Sequence, residues 1–291
     1  MTLRHFRIFI AVYEEKSMTA AAKKLIITQP SVSQAIRELE DYYHVSLFER
    51  LSGKLYVTGA GEKLYEYAVH IHRLCDDVKD ILGIASEQKK LTIGANYTAG
   101  SVLIHKYIES YRNAYPNSEV KVHVNKASVL IQMLRNNELD FALMEEIRTE
   151  DDLIQDCFYD DRIIVVVSPR HKLAAKGSIL PEDIVKEQLL LRETGAGVRN
   201  LFEIRLKQLG LSIKPYWEST STTALINAAR NNMGVAVLPY QLVRDRIEAG
   251  ELKEVKIKSL DLSRKLAVTY HRNKLLTDAM KAFIGICHEI S

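Results

Sequence analysis

Apolar positions in the first 58 residues recur at helical spacing in three short runs. Leu3, Phe6, Phe9, Ile10, Val12 and Tyr13 stripe a first helix. Ser17 is placed to cap a second, Met18 to Leu25, in which Ala20, Ala21 and Ala22 allow close backbone approach. Thr28 caps a third helix with Pro30 in its first turn, and the helix runs to about Tyr43. Val32, Ala35, Ile36, Leu39 and Tyr43 fix its buried face. Leu47 to Thr58 then reads as a small hairpin turning at Gly53. From Thr58 to about Ser86 a long helix carries Leu64, Ala68, Ile71, Cys75, Val78 and Leu82 in alternating steps of four and three, a seam widened by Tyr67, Leu74 and Ile81. That seam lacks a visible partner within its own domain, so a second copy of the chain is expected to cover it.

Beyond Leu91 the pattern changes to strands alternating with helices. Strands are predicted at 91–95, 119–124, 139–144, 162–168, 188–191, 216–218, 234–238 and 265–271, with one helix over 98–115 and a last one from about Leu275. The alternation predicts mainly parallel sheet with helices on both faces, and its length predicts two subdomains with a ligand crevice at the strand ends.

Composition narrows the class. In 291 residues, 47% are hydrophobic and 26% charged, which excludes disordered and collagen-like chains. No apolar run approaches a membrane span and no secretory pattern opens the chain, so a cytoplasmic protein is expected. The three cysteines, Cys75, Cys157 and Cys287, suit reduced thiols. Net charge is only +3, from 40 Lys+Arg against 37 Asp+Glu, so any affinity for nucleic acid must come from local pattern. The outward face of the third helix supplies such a pattern: Gln29, Pro30, Ser31, Ser33, Gln34 and Arg37 are short, amide or cationic where mere solvation would favour Glu and Lys. Gln matches adenine in the major groove, and Arg matches guanine or phosphate. Arg50 and Lys54 on the hairpin are candidates for backbone phosphates. No complete dinucleotide fingerprint, phosphate loop or His-Glu-x-x-His occurs, and no nucleophile has a recognisable base, so neither a catalytic residue nor a metal or cofactor is expected.

The runs Ser17 to Leu25, Thr28 to Ile36, Leu39-Glu40, Leu47 to Arg50 and Thr58 to Gly61 closely resemble the LysR-type transcriptional regulators. Tyr115-Pro116, Leu139 to Leu143, Gly197 to Arg199 and Gly234 to Pro239 extend the resemblance along the chain. Gly59, where the family usually has an acidic residue, and Lys54, where it often has Arg, depart from it. The resemblance implies an α/β multi-domain chain: a winged helix-turn-helix at 1–58, a dimerising linker helix at 59–88, and at 89–291 a two-subdomain, periplasmic-binding-protein-like effector domain. Subdomain I is expected at about 89–161 and 267–291, and subdomain II at about 162–266. The resemblance also implies a dimer or tetramer, promoter DNA and a small-molecule effector as partners, and RNA polymerase as a further candidate. The alternatives are a regulator without an effector, a solute-binding protein and an enzyme.

For the effector, Thr98, Ala99, Gly100 and Ser101 open a helix after the first strand of the α/β region, Thr194 and Gly195 precede another, and Ser221 and Thr222 a third. Hydroxyls and free N–H groups at three helix starts suit an oxyanion. The Thr-x-Gly form at Thr98 looks like a branch that includes regulators of sulfur assimilation and of carbon fixation. Glu145, at a strand end, points instead toward a cationic or hydrogen-bond-donating ligand.

Overall fold

The three apolar stripes of the N-terminal region fold as three helices in a computed structural model that describes residues 1–51, 53–81, 90–147 and 150–290. The chain divides into two compact units, residues 1–88 and, apart from 132–138, 89–291. In the first unit, α1 (Leu3–Glu15), α2 (Met18–Leu25) and α3 (Gln29–Tyr43) precede an antiparallel hairpin of β1 (Phe48–Leu51) and β2 (Lys54–Val57), followed by α4 (Gly59–Ile81). Ser17 Oγ accepts from Ala20 N at 3.2 Å and Thr28 Oγ1 from Ser31 N at 3.4 Å, so the two caps sit where their sequence positions put them. Phe6, Phe9, Val12, Val32, Ile36 and Leu39 are buried together with Leu47. Glu40 Oε1 accepts from the Leu47 and Phe48 amides, fastening the start of the hairpin to α3.

Two expectations for this unit are corrected. Tyr43 is not on the buried face: it is 38% exposed, stacks edge-on against Tyr42 and donates its hydroxyl to Met1 Sδ. The helix ends there, with His44 at φ 54°, and the core it would have reached has already stopped. The seam of α4 also has a partner in its own chain. Ala68 is fully buried, and Leu64, Tyr65 and Ile71 pack on the same core, with Tyr65 stacked on Tyr13 of α1 at 3.7 Å between ring centres. Cys75 is half-buried, Val78 is 47% exposed and Tyr67 68% exposed. Leu82, with the helix end predicted near Ser86, lies outside the described residues, as does Ser52.

The second unit runs β3 (Lys90–Ala95), α5 (Tyr97–Val102), α6 (Ile104–Ala114), β4 (Glu119–Val124), α7 (Ala127–Arg135), β5 (Phe141–Glu145) and β6 (Leu153–Val167). It continues, after a short 3-10 turn, with β7 (Ser178–Ile179), α8 (Pro181–Ile184), β8 (Leu189–Arg192), α9 (Gly197–Gln208), β9 (Pro215–Ser219) and α10 (Thr222–Arg230). The last elements are β10 (Val235–Pro239), α11 (Tyr240–Glu248), β11 (Lys253–Ile257), β12 (Ser263–His271) and α12 (Asp278–Ile290). The helix predicted over 98–115 is therefore two helices, interrupted at Leu103.

Strand order is β4-β3-β5-β12-β6-β10-β8-β9, with β11 also paired to β6 and β7 paired to β11. Leu153 to Arg162 of β6 pairs with β12, and Ile163 to Val166 pairs with β10, so one 15-residue strand belongs to both halves of the sheet. The expected mainly parallel sheet is corrected to a mixed one. β3, β4 and β5 are parallel, as are β8, β9 and β10, but β12 and β6 run antiparallel to their neighbours because each crosses between the halves in the opposite direction. Ile163 N donates to Leu262 O at 3.0 Å where the two crossings meet. Each half has its own core: Leu91, Ile93, Phe141, Leu143, Val268 and Phe283 in the first, and Ile163, Val165, Leu189, Val237, Phe202 and Leu206 on one face of the second. Among the described residues no helix is long and apolar enough to cross a membrane.

Candidate DNA-reading face and ligand crevice

The outward face of α3 is held by bonds along its own helix. Gln29 Nε2 donates to Ser33 Oγ at 2.8 Å, and Ser31 and Thr28 hydroxyls lie 2.8 Å apart. Gln34 Nε2 donates to Glu38 Oε1 at 2.9 Å, and Glu38 Oε2 is 2.6 Å from His5 Nε2 of α1. These bonds, from His5 first and Gln34 second, hold the Glu38 carboxyl below the usual carboxylate range. Pro30, Gln34 and Arg37 are exposed, while Gln29, Ser31 and Ser33 are half-buried. Each bond uses one amide N–H, and among the described residues the carbonyl oxygen and second N–H of each amide remain able to meet a base edge.

A concave surface of about 800 Å³ adjoins this face. It is lined by Lys16, Ser17, Thr19, Gln29, Arg50 and Lys54 among others, bringing the start of α2, the start of α3 and the hairpin together. Lys16, Ser17 and Thr19 were not expected as candidates, because Ser17 reads first as a helix cap and Lys16 as ordinary surface charge. Ile26, in the turn between α2 and α3, is 92% exposed at φ 57°, a left-handed conformation that costs a β-branched residue about 1 to 2 kcal/mol. The start of α4 is tied to the hairpin: Thr58 Oγ1 accepts from Gly61 N and donates to Ser46 O, and a Cβ at Gly61 would collide with Leu47 O.

In the second unit the crevice between the two halves of the sheet is nearly filled. The space left open is about 20 Å³, room for one water, and it is lined by residues from both halves, including Asn96, Lys126, Glu145, Arg192, Gly197 and Arg264. Asn96 caps α5, its Oδ1 accepting from Ala99 N at 2.8 Å, and its Nδ2 donates to Glu145 Oε2. Arg264 is buried against Asp161 Oδ2 at 2.7 Å and donates to Thr98 Oγ1 at 2.9 Å. Among the described residues Asp161 Oδ1 has no hydrogen-bond partner, although it is buried. Arg192, also buried, pairs with Glu193 at 2.8 Å, donates to Thr222 Oγ1 at 3.0 Å and lies 4.6 Å from the centre of the Tyr97 ring. Beside it Arg199 reaches Glu203, Glu218 and the Arg192 carbonyl. Burial opposes its charge, but the two carboxylates more than compensate and its pKa is raised.

Of the residues singled out for an effector, Thr98 and Glu145 line this space, and the Thr98 hydroxyl is already engaged by Arg264. Ala99 gives its N–H to Asn96. Gly100 packs under Val124, where a Cβ would come within 2.8 Å, and Ser101 is exposed. Thr194 and Gly195 are exposed, Ser221 caps α10 through Ala224 N, and Thr222 meets the crevice only through Arg192. Ser221 is turned away because its hydroxyl caps its own helix, as a hydroxyl near a helix start commonly does. The sequence does not single out Asn96, Tyr97, Lys126, Arg192 and Arg264, which also line this space. Each sits at the end of a strand or the start of a helix, and neither position carries a local motif. Among the described residues no group of three or more His, Cys, Asp or Glu is placed to hold a metal ion. The cysteines form no disulfide, and burial raises the pKa of the Cys157 and Cys287 thiols.

Comparison with known proteins bears on both units. Residues 3–62 match the model of the bacterial regulatory helix-turn-helix protein, lysR family, and residues 85–290 that of the LysR substrate binding domain. A RuBisCO operon transcriptional regulator of Allochromatium vinosum is 27% identical over 289 residues, 97% of this chain and 94% of its own. Among solved structures, a full-length OxyR variant from Pseudomonas aeruginosa has a TM-score of 0.74 at 22% identity, covering 99% of this chain and 94% of that one. The regulatory domain of CcmR from Synechocystis PCC6803, in complex with 2-PG, has a TM-score of 0.65 at 24% identity over 70% of this chain and 97% of that one. With family matches on both the reading helix and the crevice domain, the chain belongs to the LysR-type transcriptional regulators, DNA-binding proteins that carry an effector-binding domain.

Proposed function

We propose that this regulator reads its operator with Gln29, Ser33 and Gln34, holds the DNA backbone with Arg50, Lys54 and Lys16, and takes its effector in the crevice lined by Lys126, Glu145, Arg192 and Arg264. It works in the cytoplasm as an oligomer, joined through the face of α4 that carries Tyr67, Leu74 and Val78, and binds its ligand without turning it over. RNA polymerase is a further partner of the DNA-bound form. The observation that carries this reading is the crevice: three cations and one carboxylate from separate elements converge between two halves of a sheet that share only two crossing strands. The CcmR domain bound to 2-PG, with the same fold, supports placing a ligand in this domain.

Competition binding on the upstream DNA of the gene tests the reading face. Gln29→Ala and Gln34→Ala are each expected to lose about 1 to 3 kcal/mol of discrimination between operator and mismatched sites. Arg50→Ala and Lys54→Ala are expected to weaken binding to all sequences and to lower the salt slope by about one each. Unchanged operator preference in both Gln variants would remove α3 from the reading role. Sedimentation of Val78→Asp tests the oligomer: an unchanged mass removes this face of α4 from the interface. Val78 is the cleaner probe than Ile71, whose side chain also packs on the helix-turn-helix core.

A further inference from the structure

Glu145 is surrounded in the crevice by donors and positive charge. Asn96 Nδ2 donates to its Oε2. Its Oε1 rests against Gly197 at the start of the 12-residue α9, so closely that a Cβ at position 197 would collide with it. That helix end carries the positive pole of the dipole, and its N-cap, Ala196, offers no side-chain acceptor to the free N–H groups. The other charged residues lining the space are Lys126, Arg192 and Arg264. Arg192 is paired with Glu193 and Arg264 with Asp161, while Lys126 makes no ion pair among the described residues.

A cationic ligand would have to enter beside Lys126, the one lining cation without an ion pair among the described residues, and a positive helix end, whereas an oxyanion finds both favourable. With only about 20 Å³ open, no ligand enters unless something already present moves out. The Glu145 carboxylate is the lining group with the chemistry of an oxyanion, and it lies where such a group is best stabilised. We propose that Glu145 is a tethered occupant of an anion subsite, and that the effector is a small molecule whose carboxylate, phosphate or sulfate group displaces it from the start of α9. This deepens the reading of the crevice as the effector site and rests on it. Glu145 ends β5 in one half of the sheet and α9 packs on the other half, so its contact with Gly197 ties the halves together. A ligand that replaces the carboxylate removes that tie, and it shifts the conformation because it binds the untied form better.

Titration calorimetry of the full chain with acetate, phosphate and sulfate tests the proposal, the acetate arm separating carboxylate from phosphate or sulfate chemistry. Glu145→Gln keeps the shape and the bond from Asn96 but removes the charge, and it is expected to bind at least one of the three about tenfold more tightly than wild type. Glu145→Ala, which vacates the place altogether, is the second variant and is expected to act in the same direction. Adding Lys126→Ala to Glu145→Gln is expected to return the affinity to the wild-type range. If neither Glu145 variant binds any of the anions more tightly than wild type, the tethered-occupant proposal is overturned. The crevice reading survives that result if a cationic probe such as putrescine binds wild type and is lost in Glu145→Gln. Tighter anion binding that ignores Lys126→Ala would put the anion outside the crevice and overturn both readings.

Discussion

The face of α3 and the crevice of the second unit are both rich in polar side chains, and they hold them in opposite ways. On α3 the ties are short and local, Gln29 to Ser33 and Gln34 to Glu38, each one helical turn apart on a solvated surface. In the crevice they are long-range: Arg264 meets Asp161 and Thr98, and Asn96 meets Glu145, across tens to more than a hundred residues of chain. Local ties at a partly exposed surface exchange with water or a base edge at less cost than buried ones, so the polar face of α3 stays available as it stands. Buried charges cannot release their partners without a replacement, so a ligand in the crevice would have to supply one.

The strongest way to break this contrast is at Asp161. Asp161→Ala would leave the Arg264 guanidinium buried without its carboxylate, an uncompensated charge that costs about 3 to 5 kcal/mol. Trp217, the single tryptophan, lies on β9, so its fluorescence follows the second unit alone through a urea titration. The midpoint is expected to fall sharply for Asp161→Ala and less for Asp161→Asn, which keeps an oxygen acceptor. A loss below about 1 kcal/mol, the value of an exposed pair, would mean that water already reaches Arg264 and that the crevice is not closed in solution.

The next largest effect is expected in the scaffold under the reading face. Gly61 passes so close to Leu47 O that Gly61→Ala must push α4 away from the hairpin, and overpacking of this kind costs about 1 to 3 kcal/mol. Hydrogen exchange is the suitable readout. Amides of α1 to α3 should lose protection while the Trp217 transition stays in place. Equal loss in both units would join them into one cooperative block and contradict the division drawn between them.

The same contrast explains what could be read from the sequence. Caps at Ser17 and Thr28, the turn at Gly53 and the polar face of α3 are legible because their causes lie within a few residues of each other. Tyr43 misleads because a helical wheel continues past the point where the core ends. The seam of α4 shows a different limit: its spacing correctly identifies an apolar stripe, but spacing alone does not say whether the partner is a second chain or, as for Ala68 and Leu64, α1 of the same one. The crevice residues Asn96, Lys126, Arg192 and Arg264 were invisible because the topology that assembles them depends on two crossing strands, one of which, β6, begins at Leu153, nine positions before the strand predicted there. The hydroxyl chosen instead at Ser221 follows a rule about helix starts that capping alone satisfies.

The smallest effect concerns the pH response of the reading face. Glu38 is held below its ordinary value of 4.5 by the bonds from His5 and Gln34, so the folded unit binds its proton less readily than the unfolded chain does. A group lowered in this way adds stability that is fully present above about pH 5 and is lost as the pH falls through the lowered value. Glu38 is exposed, so the effect is small and is best read as a difference between variants. Above about pH 5, Glu38→Gln is expected to unfold the first unit slightly more easily than wild type, and the two should converge in acid as the wild-type carboxyl protonates. Protonation also weakens the acceptor that steadies the Gln34 amide, so operator discrimination should decline in wild type over the same acidic range and stay flat in Glu38→Gln. A stability difference that persists unchanged into acid would show that Glu38 acts through packing rather than charge, and would remove it from the control of Gln34.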